Sequence, residues 1–529
     1  MYDYILRGGI VVDGTGSPAI EADVAIKDGK IAKIQRDIKE PAKEILDVTG
    51  LAVSPGFIDF HSHSDTGFLV DDRCESKIYQ GITTELAGQC GSTIYPCPED
   101  RLESLREYAG ESFKEFASSS FQEFLDKVTA HNKKMATNLV SLIGHGAIRV
   151  GVMGFEDRKA TREELAQMQA LLDRDMKAGA WGLSLGLGYS PGVSSDQEEL
   201  NALGEVVAKY DGIITSHMRR QDEKTPESLE EMYEINRQTG AHVHIAHFKA
   251  AGRQNWGRAP EFVNNVADAR TSGIHVTVDV YPYTAASSGI TNSFPKWSIQ
   301  GGVHKAIERL KSESEERRKL MADLEEIFKT QADGESLYVV TTNGRYPIAG
   351  GKTIWELSQE LGLSMAVTVA KVAVETEGRC TCISFAMSEE DVDYMLAQKD
   401  YVIGSDGRGL PLAPEENKGK PHPRNFGTFP RFLRWAREKG IPLQESVHRI
   451  TGLSAMYLGL PDRGLLKAGF VADITVFDPV KVTDKATYDN PFQKPVGIEH
   501  VFIGGKPALF NGEQTDLRLG QFILKKQEG

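Results

Sequence analysis

The chain has 529 residues, a net charge of −14, and 40% hydrophobic and 26% charged side chains. That is enough for a large core, in more than one domain or in one large barrel with additions. The acidic balance excludes a general nucleic-acid binder, whose surface needs surplus Lys and Arg.

The chain opens with MYDYILRGGIVVDGTG, which alternates apolar and polar residues from the start. It lacks a basic stretch leading into an apolar one, so no signal peptide is expected. Residues 1–52 read as short strands joined by tight turns, with Asp-Gly pairs as hairpin signals. Residues 460–529 have the same texture, in VADITVFDP and EHVFIGGKPALFNGE. The two ends are therefore expected to meet in one small β-sandwich domain, with the barrel domain at 53–459 between them.

The middle alternates between apolar runs and polar, helix-forming stretches. The runs, in order, are AVSPGFIDF, TTELAGQC, NLVSLIGHG, AWGLSLGLGY, GIITSH, HVHIAHF, HVTVDVYPY and YVIGSD. Continuously apolar strands that alternate with helices mean a parallel sheet covered by helices. Eight such units predict an α/β fold of the (β/α)8 TIM-barrel type; a doubly wound open sheet is the alternative. The seventh and eighth runs are unusually far apart, from about Thr284 to Asp400. A lid inserted after strand seven is expected at 285–350, on the face where barrels bind substrate.

No run approaches the roughly 18 apolar residues of a membrane span. The five cysteines (Cys74, Cys90, Cys97, Cys380 and Cys382) are too few in this length for a disulfide framework. A reducing, cytoplasmic location is expected.

The chemistry lies at the ends of the runs. The first ends in His61-Ser62-His63, and residues two apart in a strand face the same side. The second ends at Cys90, the fifth at His217, the sixth at His247 and the eighth at Asp406. Thiolate, imidazole and carboxylate are all zinc ligands, and in a barrel these six would emerge at one rim. His145 reads as pocket lining or packing, and His242 and His244 as structural. Cys380 and Cys382 lack the second pair a separate metal site needs, and Cys74 and Cys97 read as inert thiols.

PGFIDFHSH, the GSDG on the last strand and the ADITVFDP near the end resemble the amidohydrolase superfamily. AGQCG, SHMR, HIAHFKAAG, DVYPYTAASS and HPRNFGTFPRFL narrow this to the N-acyl-D-amino-acid deacylases, or D-aminoacylases, over nearly the whole chain. The resemblance implies zinc-dependent hydrolysis of the amide of a small-molecule N-acyl-D-amino acid, with neither nucleic acid nor membrane as partner. It implies one tightly bound zinc on Cys90, His217 and His247, and a second, weaker position on His61, His63 and Asp406. Cys90 stands in for the lysine that many relatives take from strand four. Asp406 is the implied general base and acid, and no other carboxylate is seen at a strand end with the ligands. Lys249, Tyr281, Ser287 and Arg424 are the implied contacts of the substrate carboxylate. Tyr189 matches a substrate-side tyrosine and equally a structural turn residue. The segment FPKW, with Lys296 its only charge, favours a neutral or apolar substrate side chain. The alternatives are a dipeptidase that cleaves before a D-residue and a cyclic-amide hydrolase of the hydantoinase or dihydroorotase type. The sequence sets neither oligomeric state nor metal stoichiometry.

Overall fold

The computed structural model describes residues 1–109, 113–330 and 334–526. The eight apolar runs form eight short strands, buried along almost all their length. They are Phe57–Asp59, Ile82–Ala87, Asn138–Ser141 continued by Ile143–Gly144, Gly182–Gly186, Ile213–His217, His242–Ile245, Val276–Val280 and Tyr401–Ile403. We call these barrel strands one to eight. Strands buried on both faces need apolar residues at every position, which is why the runs do not alternate.

Each strand pairs in parallel with its neighbour. Strands eight, seven, six, five and four lead to Ile143–Gly144, and strands one and two lead to Asn138–Ser141. Between the two parts of strand three lies Leu142, whose N–H donates to Ala87 O at 3.0 Å. The remaining seam runs between strands eight and one. Phe60 N–H donates to Ile403 O (3.2 Å) and Asp406 N–H to His61 O (2.8 Å). Amphipathic helices cover the outside. Arg162–Lys177 starts with a Thr161–Glu164 capping box, and Thr225–Thr239 stops at left-handed Gly240.

The two ends of the chain share one sheet of nine strands. Ala52–Pro55 pairs antiparallel with Ile474–Phe477, so that Ile474 faces Pro55 and Phe477 faces Ala52. The sheet branches at Tyr2–Val11, which pairs with Ile20–Lys27, Ala42–Asp47 and Ala52–Pro55. Leu6, Val24, Ile26, Val53, Ile474 and Phe502 fill its core. Only Gly56 separates this sheet from barrel strand one. A Cβ there would lie 2.2 Å from Thr83 Oγ1, so no larger residue fits.

Between barrel strands seven and eight the chain builds a separate layer. Ala286–Gly289 and Leu337–Thr341 flank Thr381–Ser384 in an antiparallel sheet. Helices Val303–Lys311, Glu315–Thr330, Ile354–Leu361 and Met365–Glu375 cover it. This layer runs to Ser384, well past the 350 expected from sequence, because the helices after 350 pack on its own core rather than on the barrel. That core includes Leu320, Leu324, Ile354, Leu357 and Val369. Among the described residues no single helix is long and apolar enough to cross a membrane.

Candidate metal centre

All six donor residues read from the sequence meet at one rim of the barrel. His61 and His63 follow barrel strand one, with ring centroids 5.4 Å apart. Cys90 Sγ lies 3.5 Å from His61 Nε2, 3.6 Å from His247 Nε2 and 3.9 Å from His217 Nδ1. His217 Nδ1 and His247 Nε2 are 2.9 Å apart. On the other side, Asp406 Oδ1 lies 3.1 Å from His63 Nε2 and 3.7 Å from His61 Nε2. Two sets of donor atoms are close enough to hold one ion each: His61, Cys90 and His247, and His61, His63 and Asp406. His61 stands between them.

The backbone is bent to achieve this. Cys90, His247 and Asp406 all have positive φ (55°, 38° and 51°), in the left-handed region that non-glycine residues seldom adopt. Such conformations concentrate at functional sites. Each lies just past a strand end, where one left-handed residue turns the chain over the barrel mouth.

The charges suit a divalent cation. Burial opposes ionisation of the Cys90 thiol. Neighbouring His61, with hydrogen bonds from His217 and His247, outweighs it and holds the thiol well below its usual range. Burial pulls His217 down to about 3 and also lowers His247. An ionised thiol beside neutral imidazoles is the protonation state zinc ligands require. His61 and His63 differ. Burial lowers both, but Asp279 and Cys90 beside His61, and Asp406 and Cys90 beside His63, raise them overall. A cation binding there would displace those protons.

Asp279, on barrel strand seven, was missed from the sequence. It lies inside its strand rather than at the strand end, where the sequence placed Asp406. Its Oδ2 lies 3.3 Å from His61 Nδ1 and 2.8 Å from His244 Nε2, and its Oδ1 accepts the His247 N–H at 2.8 Å. A carboxylate on the far nitrogen of a ligand imidazole fixes the ring's tautomer and orientation. The sequence signal was an acidic residue inside a strand, VTVDV, that is buried throughout. His244 and His242 support this from below by sharing Thr277 Oγ1, at 2.8 and 2.7 Å. His145 is fully buried, with Nε2 2.6 Å from Glu199 Oε1, and Arg149 binds the same carboxylate. Its place is in the packing.

Beside the donors lies a cationic, aromatic wall. The Tyr281 ring has Lys249 Nζ 5.3 Å and Arg424 Cζ 5.4 Å from its centroid. Arg424 Nη1 is 2.7 Å from Asp406 Oδ2, so the guanidinium reaches the metal-ligand cluster itself. Burial lowers Lys249 to about 8, although Asp406 favours its charge. Buried Arg424 Nε and the Tyr281 hydroxyl have no hydrogen-bond partner among the described residues. The Tyr189 ring packs 4.3 Å from His217. Ser287 sits partly exposed on the first strand of the inserted layer, opposite Ile383. Among the described residues it makes no hydrogen bond to the six donors. Lys296 reaches from the same layer to the barrel, donating to Gly188 O (3.1 Å) and Asn292 Oδ1 (3.2 Å).

A parallel barrel with six metal-type donors at the C-terminal ends of its strands defines a metal-dependent hydrolase. Comparison with known proteins makes this specific. The amidohydrolase family profile matches residues 44–307 and 419–508. The chain is 33% identical to the D-aminoacylase of Alcaligenes xylosoxydans xylosoxydans, over 99% of this chain and 98% of that one. It is 32% identical to the N-acyl-D-aspartate deacylase of the same organism, over 98% and 95% of the two chains. Among solved structures it resembles the N-acyl-D-glutamate deacylase of Bordetella bronchiseptica, crystallised with zinc and a phosphonate mimic of the tetrahedral intermediate. There the TM-score is 0.82 at 30% identity, over 98% and 99% of the chains. The chain belongs to the amidohydrolase family.

Proposed function

We propose that this protein hydrolyses the amide bond of N-acyl-D-amino acids, releasing a carboxylate and a free D-amino acid, with zinc held by the rim cluster. The observation that carries this reading is the convergence of six donors beside the Lys249–Tyr281–Arg424 wall. The full-length similarity to deacylases of D-amino acid derivatives supports it.

Cys90, His217 and His247 would hold the tighter zinc, and His61, His63 and Asp406 the weaker one. When bound, zinc supplies the Lewis acidity that polarises a carbonyl and acidifies water. The chain's own residues do the rest. Asp406 takes the proton of the attacking water and returns it to the departing nitrogen. Arg424 and Lys249 bind the α-carboxylate, with the hydroxyls of Tyr281 and Ser287 completing the grip. Because Arg424 touches both Asp406 and this wall, a carboxylate bound there places its amide next to the base. Tyr189 walls the pocket against His217. The inserted layer acts as a lid. With Lys296 occupied by Gly188 and Asn292, the preferred side chain is neutral or apolar. The cyclic-amide alternative is set aside, since GLSLG on strand four offers no lysine to the cluster.

The deciding experiment is a panel of N-acetyl-D- and N-acetyl-L-amino acids, acidic ones included, assayed with zinc-loaded protein. Turnover of D-substrates only is expected. Turnover of L-substrates only, or of none, overturns the assignment; preference for D-aspartate or D-glutamate derivatives overturns the side-chain reading alone.

A further inference from the structure

Beneath the rim lies a second set of ionisable groups that the proposed reaction does not use. Lys77, Asp59 and Glu85 are all fully buried. Lys77 comes from the short helix Glu75–Ile78, Asp59 ends barrel strand one and Glu85 lies in barrel strand two. Lys77 Nζ is 2.6 Å from Asp59 Oδ2 and 3.3 Å from Glu85 Oε2. It also reaches Ser405 Oγ at 2.8 Å, and Ser62 Oγ and Gly407 O at 3.3 Å.

These partners bracket one half of the metal centre. Asp59 Oδ1 accepts the N–H of His61 (3.3 Å) and of Ser405 (2.7 Å). Glu85 Oε2 accepts from Ser64 Oγ at 2.7 Å and from Ser62 Oγ at 2.5 Å. His63 is therefore flanked in sequence by two serines held on this cluster, and Asp406 by Ser405 and Gly407. His61 and His63 turn into the donor cluster, whereas the Ser62 hydroxyl between them turns to Glu85 and Lys77. The other half shares Asp279 with His61 but otherwise has its own supports. Gln89, next to Cys90, accepts from Thr215 Oγ1 at 2.7 Å, and Gln221 Nε2 meets His247 Nδ1 at 3.1 Å. Neither belongs to the Lys77 cluster.

We propose that Lys77 is a positioning residue that sets the His61–His63–Asp406 position and leaves the Cys90–His217–His247 position nearly untouched. This rests on the metal reading of the cluster given above. By tying Ser62 on one strand end to Ser405 and Gly407 on another, Lys77 fixes the spacing between the two histidines and the aspartate. Removing such an outer partner weakens metal binding by roughly 10- to 100-fold.

The test is titration of metal-free protein with zinc against a competing chelator, repeated with cobalt(II). Cobalt's sulfur-to-metal absorption reports the Cys90 position separately. Wild type is expected to bind two ions with different affinities. Lys77→Met should keep the tight ion and the sulfur band and weaken the second ion by about 30-fold or more. Ser405→Ala keeps all three charges and removes the hydroxyl that accepts from Lys77 Nζ and from the Gly407 N–H (3.0 Å) and donates to Asp59 Oδ2 (2.6 Å). It should weaken the second ion by about 10-fold in a protein that still unfolds cooperatively, at a lowered midpoint, and it decides the matter if Lys77→Met does not fold. Variants that bind both ions like wild type, or lose both alike, overturn the role of Lys77. Wild type that takes up only the Cys90-bound ion overturns the second position and with it the role of Lys77, and wild type that takes up none overturns the metal reading itself.

Discussion

Around the barrel rim, Asp59, Lys77, Glu85, Arg149, His244 and Asp279 are completely buried. In the inserted layer the packed core is apolar, and ion pairs such as Arg318–Glu315 and Lys352–Glu360 stay at the surface. Burying charge lowers stability unless every partner is in place, whereas burying Leu and Val raises it with little directional demand. The rim gives up stability for fixed geometry. The inserted layer folds on ordinary packing and needs no accurate placement of polar atoms. Variants in the two regions should therefore fail in different ways.

The largest effect is expected at the rim. Cys90→Ala should cut hydrolysis by about 1,000-fold or more while the circular dichroism spectrum stays native. Retention of more than about a tenth of the activity would remove the thiol from the ligand set. Leu324→Ala, in the fully buried core of the inserted layer, should instead cost about 3 kcal/mol in denaturant unfolding, with zinc content unchanged. Loss of zinc in that variant would show that the two regions are coupled.

Smaller effects sharpen the contrast. Arg424→Lys keeps the charge and loses the planar fork, so kcat/KM for a D-substrate should fall by about 30-fold, mostly through KM. A loss confined to kcat would assign Arg424 to holding Asp406 rather than substrate. The smallest effect concerns Asp175, whose carboxyl is pushed up to about 6 by burial, partly offset by Arg174. Its ordinary value is 3.8, so between these values the folded protein keeps a proton that the unfolded chain has released. Stability therefore falls as pH rises through this window. Asp175→Asn still offers an oxygen to the Phe121 N–H, which wild type bonds at 2.9 Å. It should reduce the fall in unfolding free energy from about pH 4 to pH 7 by about 1–2 kcal/mol, and an unchanged slope would contradict the raised value.

The eight barrel strands were legible because strands buried on both faces show up as uninterrupted apolar runs. The six donors were legible because each closes such a run. Asp279 was not, since it lies within its run and only its partners on neighbouring strands reveal which way it faces. Lys77, Asp59 and Glu85 were lost for a related reason. A charged residue reads as solvent-exposed until a long-range partner such as Ser405 appears beside it. The inserted layer was seen to begin after strand seven. Its end was misplaced because a helix that packs on the layer's own core has the same periodicity as one that packs on the barrel.

Ala286 pairs with Ser384, so the inserted layer departs from the barrel and returns to it side by side, through a single doorway. A segment hinged in this way can change its length and contents without altering the spacing of barrel strands seven and eight. It is a natural cassette. Exchanging the stretch from Ile290 to Cys380 with that of a relative, and leaving both doorway strands and Ser287 in place, would graft a different roof onto the same catalytic floor.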